Sequence, residues 1–122
     1  MVLVDTSVWV DFLRTGDDGL SDLLRRNQVY IHPMIIGALA CGNLKNRSQL
    51  MSLWQNLPIA VEASHQKAMI FLESQDFMGK SIGFVDLHLL AATQLTANTL
   101  LWTRDKRLQQ LASALGTTFS NR

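Results

Sequence analysis

The stretch MVLVDTSVWVDFL, residues 1–13, decides how this chain is read. Its first four residues form a short continuous apolar run, the pattern of a strand covered on both faces. Asp5, Thr6 and Ser7 interrupt the run, and Val8, Trp9, Phe12 and Leu13 then recur at helical spacing. A buried strand is therefore predicted to pass into a helix near Thr6, with a carboxylate at the junction.

The same alternation continues outward. A second helix is expected near Leu20 to Arg26, and VYI (29–31) reads as a short buried strand. Pro33, suited to a first helical turn, opens another helix. Residues 47–56 and 64–76 have helical periodicity, with IAV (59–61) between them as a candidate strand. FVDLHLLAATQL (84–95) reads as a helix and LLWT (100–103) as a buried strand. KRLQQLASAL (106–115) is a last helix stopped by Gly116, and TTF (117–119) is a candidate closing strand. Strands alternating with helices argue an α/β fold, a mainly parallel sheet of four to five strands between two helical layers.

At 122 residues the chain is long enough for one self-supporting domain, taken as 1–122. Its composition, 48% hydrophobic and 17% charged, is that of a folded protein. A net charge of +1 gives no strong long-range pull on nucleic acid or anionic lipid, so any such binding must be local. No apolar run approaches the roughly 18 residues of a membrane span, and the N-terminus lacks the features of a signal peptide. The lone Cys41 excludes an internal disulfide and suits a reducing compartment, hence a cytoplasmic location. Its apolar neighbours predict a buried small hydrophobe.

Ligands in open α/β sheets bind beyond the carboxyl ends of the strands. Asp5 directly follows the first strand, Asp105 follows LLWT by one residue, and Asp86 opens a helix after the GKSIGF loop. Each is open to a second reading as a helix N-cap, for which Asp is well suited. Together they point to a metal site. Two unit charges about 4 Å apart repel by roughly 4 kcal/mol at an effective dielectric near 20. Three such carboxylates need a counter-charge, and all-oxygen ligands select a hard cation such as Mg²⁺ or Mn²⁺.

At these residues the chain resembles the VapC toxins, PIN-domain ribonucleases of bacterial toxin–antitoxin pairs. VLVDTSVWVDFL, GFVDLHLLAA and LLWTRDKRL carry the likeness, in order, from Met1 to about Leu115. The resemblance implies a PIN-like three-layer α/β/α fold and Mg²⁺- or Mn²⁺-dependent endonucleolytic cleavage of RNA, with structured RNA such as tRNA among the substrates. It also implies a homodimer and a VapB-type antitoxin. Asp5, Asp86 and Asp105 match the acidic metal ligands of the family, and Thr6, Ser7 and Thr103 match hydroxylated positions that line the site, some through water.

The segment IHPMIIGALACGNL (31–44) holds no carboxylate, Lys or Arg. The matching family segment reads like HPFVIGELALGNL, so Ala38 stands where a glutamate of the catalytic site is expected. A Glu→Ala change that silences a toxic nuclease is favoured over a naturally weakened enzyme, because the flanking residues keep the pattern. Four carboxylates would balance two divalent ions, whereas three leave one charge too few, so weak cleavage is expected. The methyl of Ala38 is expected to face the aspartates across a carboxylate-sized gap. The apolar character of this helix suggests burial in the core and in a dimer contact. Met34, Ile35, Leu39, Met69 and Phe71 are the expected dimer residues.

Arg104, Lys106 and Arg107, with Lys80 in the loop before Asp86, are candidates for steering RNA phosphates. His88, two positions after Asp86, is expected off its helical face as a packing or surface residue. His32 is expected to bond backbone, and Trp9, Trp54 and Trp102 to pack in the core or an interface. Two rivals fail on residues. A haloacid-type phosphatase needs Asp-x-Asp, but Ser7 occupies the third position. A receiver domain needs an acidic pair after the first strand and a lysine after the last. A non-catalytic PIN-fold module that holds RNA or antitoxin stays open because of Ala38.

Overall fold

A computed structural model of the chain describes residues 1–120; the last two residues of the expected 1–122 domain lie outside the described part. Three strands, β1 (Val2–Val4), β2 (Val29–Tyr30) and β3 (Leu100–Trp102), form a parallel sheet in the order β2-β1-β3. Seven helices are described: α1 (Thr6–Thr15), α2 (Asp18–Arg25), α3 (Pro33–Ala40), α4 (Arg47–Asn56), α5 (His65–Ser74), α6 (Phe84–Leu95) and α7 (Lys106–Ala114). The α/β class and the parallel sheet agree with the sequence reading. The strand count is smaller than the four to five expected. IAV and TTF each contribute one parallel bridge, Ile59 to Ile31 and Thr118 to Leu101, too short to count as strands.

With those bridges the lateral order is Ile59, β2, β1, β3, Thr118, which is third, second, first, fourth, fifth along the chain. The chain moves to one side of β1, then returns to the other. Since parallel crossovers are right-handed, α1 to α4 belong on one face and α5 to α7 on the opposite face. The packing follows that division: α1 touches α3 and α3 touches α4, whereas α5 packs on α6 and both α6 and α7 pack on β3. The reversal falls between β1 and β3, where a crevice opens at the carboxyl ends of an open sheet.

Leu3, Val4, Ile31 and Leu101 are fully buried, as runs covered on both faces must be. Trp9 and Trp54 are also fully buried, with rings edge to face at 5.9 Å, and Phe12 meets Trp9 in the same way at 5.7 Å. This cluster locks α4 onto α1. α3 is less buried than its composition suggests. Ile35 and Leu39 enter the core, while Pro33, Gly37, Ala38 and Cys41 are exposed. Cys41 is thus not the buried hydrophobe expected, because it follows the last turn of α3 on the solvent side.

Replacing Trp54 by Ala should cost about 3 to 5 kcal/mol, the usual penalty for emptying a large aromatic site. Trp54→Phe should cost clearly less, because it keeps the ring contact and removes an indole N–H that has no partner among the described residues. Urea titrations of the two variants would check the ranking.

Candidate active site

The β1–β3 register pairs Val4 with Trp102, and the Asp5 N–H donates to the Trp102 carbonyl at 2.9 Å. Asp5 and Thr103 therefore leave adjacent strands side by side at the reversal point. Asp5 occupies the N-cap position of α1, yet its side chain does not cap the helix. It is buried, and three hydroxyls donate to its carboxylate instead: Thr103 Oγ1 at 2.8 Å, Ser7 Oγ at 2.9 Å and Thr6 Oγ1 at 3.3 Å. The hydroxylated residues matched by the sequence thus bond Asp5 directly, with no need of water between.

Asp105 fulfils the capping reading. Its Oδ1 accepts from the Leu108 N–H at 2.9 Å at the start of α7, and its own N–H donates to Thr103 Oγ1 at 3.1 Å. Asp86 is not a cap: Gly83 holds that position and Asp86 is the third residue of α6. Burial first, then the negative charges of Asp5 and Asp105, push its carboxyl up from 3.8 to about 6. Asp86 is thus within electrostatic reach of both other acids. Among the described residues, no group of three or more His, Cys, Asp or Glu side chains stands close enough together to hold a metal ion.

The other sequence candidates have other surroundings. Ala38 is exposed on the wall of a groove of about 920 Å³. The groove is lined by Val10, Leu13 and Arg14 of α1, by Ala38 and Leu39, and by Gln49, Leu50 and Leu53 of α4; none of the three aspartates lines it. Lys80, Lys106 and Arg107 are exposed and enter no ion pair among the described residues. Arg104 is engaged elsewhere, bridging Asp11 at 2.6 Å and Asp17 at 2.5 Å, so phosphate steering by it would require those pairs to open. Neither Asp11 nor Asp17 was marked by sequence, since partners 93 and 87 residues away leave no local pattern.

Of the expected dimer residues, Ile35 and Leu39 are core residues with no surface to offer a second chain. Met69 is exposed, and Met34 and Phe71 are half-buried. His32 bonds backbone as expected, its Nδ1 accepting from the Met34 N–H at 3.0 Å. Burial lowers its pKa, with Glu62 opposing and His88 adding to the shift. His88 is a buried packing residue against Phe84, with ring centres 4.6 Å apart.

A surplus of negative charge held by oxygen donors, one carboxylate already oriented by three hydroxyls, suits a hard divalent cation. The chemistry of the donors fits such an ion, although the side chains as they stand are not grouped around one position. No protein-family model matches the chain. It is 36% identical over 116 residues to Ribonuclease VapC32 of Mycobacterium tuberculosis, in both strain CDC 1551 / Oshkosh and strain ATCC 25618 / H37Rv. The match covers 95% of this chain and 94% of each relative.

The Asp86 shift gives a signed stability test. The folded chain holds this proton more tightly than the unfolded chain, so the charged form opposes folding. The penalty grows as pH rises from about 4 to about 6 and is complete above that. In EDTA at a pH of about 7.5, Asp86→Asn should be about 1 to 2 kcal/mol more stable than the parent, after discounting for solvent screening. The difference should shrink as pH falls and vanish below a pH of about 3.5, where the carboxyl becomes neutral in the unfolded as well as the folded chain. Equal stability at both pH values would show that neither burial nor the neighbouring carboxylates oppose the charge on Asp86.

Proposed function

The chain belongs to the VapC family of PIN-domain ribonucleases, and from that premise we propose that it is a divalent-metal-dependent endoribonuclease, the toxin of a toxin–antitoxin pair. The observation that carries the reading is the buried Asp5 carboxylate, held by Thr103, Ser7 and Thr6 at the point where the sheet reverses. Asp86 is near enough for Asp5 and Asp105 to add to burial in pushing its carboxyl up. Asp5, Asp86 and Asp105 would hold Mg²⁺ or Mn²⁺. When bound, such an ion supplies a Lewis acid for the phosphodiester and lowers the pKa of its water.

The chain's own residues do the rest. Thr6, Ser7 and Thr103 hold the Asp5 carboxylate in one orientation, so little is lost in ordering it when the cation arrives. Asp105 is oriented by the α7 cap, its Oδ1 accepting from the Leu108 N–H. Lys80, Lys106 and Arg107, exposed near the acids in sequence, offer the local positive charge that RNA phosphates need. Structured RNA such as tRNA is the substrate class to try first.

Ala38 takes the position of the family's glutamate, and we read the chain as a weakened or silent nuclease for that reason. The groove that Ala38 lines, largely apolar between α1, α3 and α4, is the proposed seat of a VapB-type antitoxin segment. Self-association is assigned to Met69, Phe71 and Met34, with Ile70 added because it is 60% exposed on the same helix as Met69. No helix of the described residues is long and apolar enough to cross a membrane. A cytoplasmic location is part of the same proposal.

The alternative, a module that binds RNA or antitoxin without cutting, is favoured by the missing carboxylate at position 38. One experiment separates the two. Cleavage of total RNA with Mn²⁺ should rise about 10- to 100-fold in Ala38→Glu, in the range seen when carboxylate support is lost at other metal sites. The gain should disappear in EDTA and in an Ala38→Glu, Asp5→Asn double variant. No cleavage by either parent or Ala38→Glu would sink the nuclease reading and leave the binding module.

A further inference from the structure

We propose that Arg104 is a positioning residue for the acidic site, a clamp that fixes the Thr103–Asp105 segment against α1, and not a contact for RNA phosphate. The proposal rests on the functional reading above. Arg104 lies between two site residues, and each half of it points to a different task. Its backbone N–H donates to Ser7 Oγ at 3.0 Å, and Ser7 in turn donates to Asp5 Oδ2 at 2.9 Å. Its guanidinium leaves the site and spans two carboxylates on separate elements, Asp11 in α1 and Asp17 at the N-cap of α2. The guanidinium carbon also lies 5.7 Å from the centre of the Trp102 ring, so the cation is stacked as well as paired.

Isolated surface ion pairs contribute little, because two long side chains must be ordered for one screened contact. This arrangement differs in kind. One planar cation serves two acceptors at once, Asp17 is only 15% exposed, and Trp102 limits the rotamers of the arginine. Asp17 is itself fixed, since it accepts from the Leu20 N–H at 3.0 Å. The clamp thus joins the first turn of α2, the second turn of α1 and the end of β3. Asp5 and Ser7 lie at the start of α1, and Thr103 and Asp105 flank Arg104 between β3 and α7. Freed of the clamp, residues 103–105 would still be held by the Thr103 bond to Asp5, by the contacts of Ser7 with Thr103 and with the Arg104 N–H, and by the α7 cap, but by nothing that reaches α2. Asp105 could then drift relative to Asp5, and small displacements at a metal site are costly.

A clamp and a phosphate contact leave different signatures. Arg104→Gln, Arg104→Lys and an Asp11→Asn, Asp17→Asn double variant would be compared with the parent, after thermal melts by circular dichroism confirm folding. Mn²⁺ affinity would be read by calorimetry, binding of a labelled tRNA by anisotropy over a salt series, and amide exchange at Arg104 and Asp105 by NMR. A clamp predicts that Arg104→Gln weakens Mn²⁺ about 10-fold. It predicts faster exchange of the Arg104 and Asp105 amides and an unchanged salt slope for RNA.

The double Asn variant should reproduce these effects, and adding Arg104→Gln to it should change nothing further. Arg104→Lys should recover only part of the loss, because a point charge cannot span both carboxylates. A salt slope reduced by about one, with Mn²⁺ affinity and exchange unchanged, would overturn the clamp and restore the phosphate contact. No change in any readout would overturn it too. If Arg104→Gln does not fold, the double Asn variant alone decides, through the same Mn²⁺ and exchange readings. The functional reading fails separately, when the parent binds no Mn²⁺ and Ala38→Glu cuts no RNA; the exchange result still tests the clamp in that case.

Discussion

The parallel pairing of β1 with β3 is the constraint on which the site depends. Val2, Leu3 and Val4 align with Leu100, Leu101 and Trp102 across nearly the whole chain. That register sets Asp5 beside Thr103, allowing a hydroxyl almost a hundred residues away to donate to a buried carboxylate at 2.8 Å. A slip of one residue would reverse which side chains face which layer and would carry Thr103 away from Asp5. The register is secured by burial: Leu3, Val4 and Leu101 have no exposure, and any slip would drive polar neighbours into the same space. The chemistry at the rim is thus held by apolar packing beneath it.

Burying Asp5 would be prohibitive if its charge were left alone, because an unpaired carboxylate loses several kcal/mol of solvation. The chain answers without a basic side chain. Three hydroxyls supply the hydrogen bonds while leaving the net charge at minus one, available to a cation. A lysine or arginine in their place would satisfy Asp5 equally well but cancel the charge that the proposed cation site needs. The available basic group, Arg104, is instead drawn outward to Asp11 and Asp17. The segregation is sharp: hydroxyls face the site, and guanidinium faces the rim.

Much of this was legible in the sequence, for reasons particular to each element. The strand-to-helix junctions at Asp5 and Asp105 follow short apolar runs and fall where predicted, since continuous Val and Leu runs bounded by small polar residues have few other structures open to them. The IAV and TTF segments were read as strands but make single bridges, because sheet length at an edge depends on neighbours and not on local composition. Ile35 and Leu39 were assigned to a dimer and belong to the core, as an apolar helix does not declare which of its faces meets its own chain. Cys41 shows the converse error, an apolar neighbourhood in sequence that ends on the solvent side of α3. The Arg104 pairs were invisible because nothing near residue 104 in the chain encodes Asp11 or Asp17.

The three aspartates are unequal, and the inequality bears on what the site is built to accept. Asp5 is satisfied by hydroxyls and Asp105 by the cap of α7, so each has partners even without a cation. Asp86 has none of these, and burial with two like charges raises its pKa to about 6. A proton is one way to relieve that repulsion, and the proposed divalent ion would be another, in competition for the same carboxylate. The strain is concentrated on the residue that α6 contributes from the opposite helical layer. A cation there would stitch α6 to the β1–β3 rim, joining the two halves of the fold at the crevice their winding leaves open. On the proposed reading, Asp86 would thus be the residue that couples cation binding to the contact between the two layers.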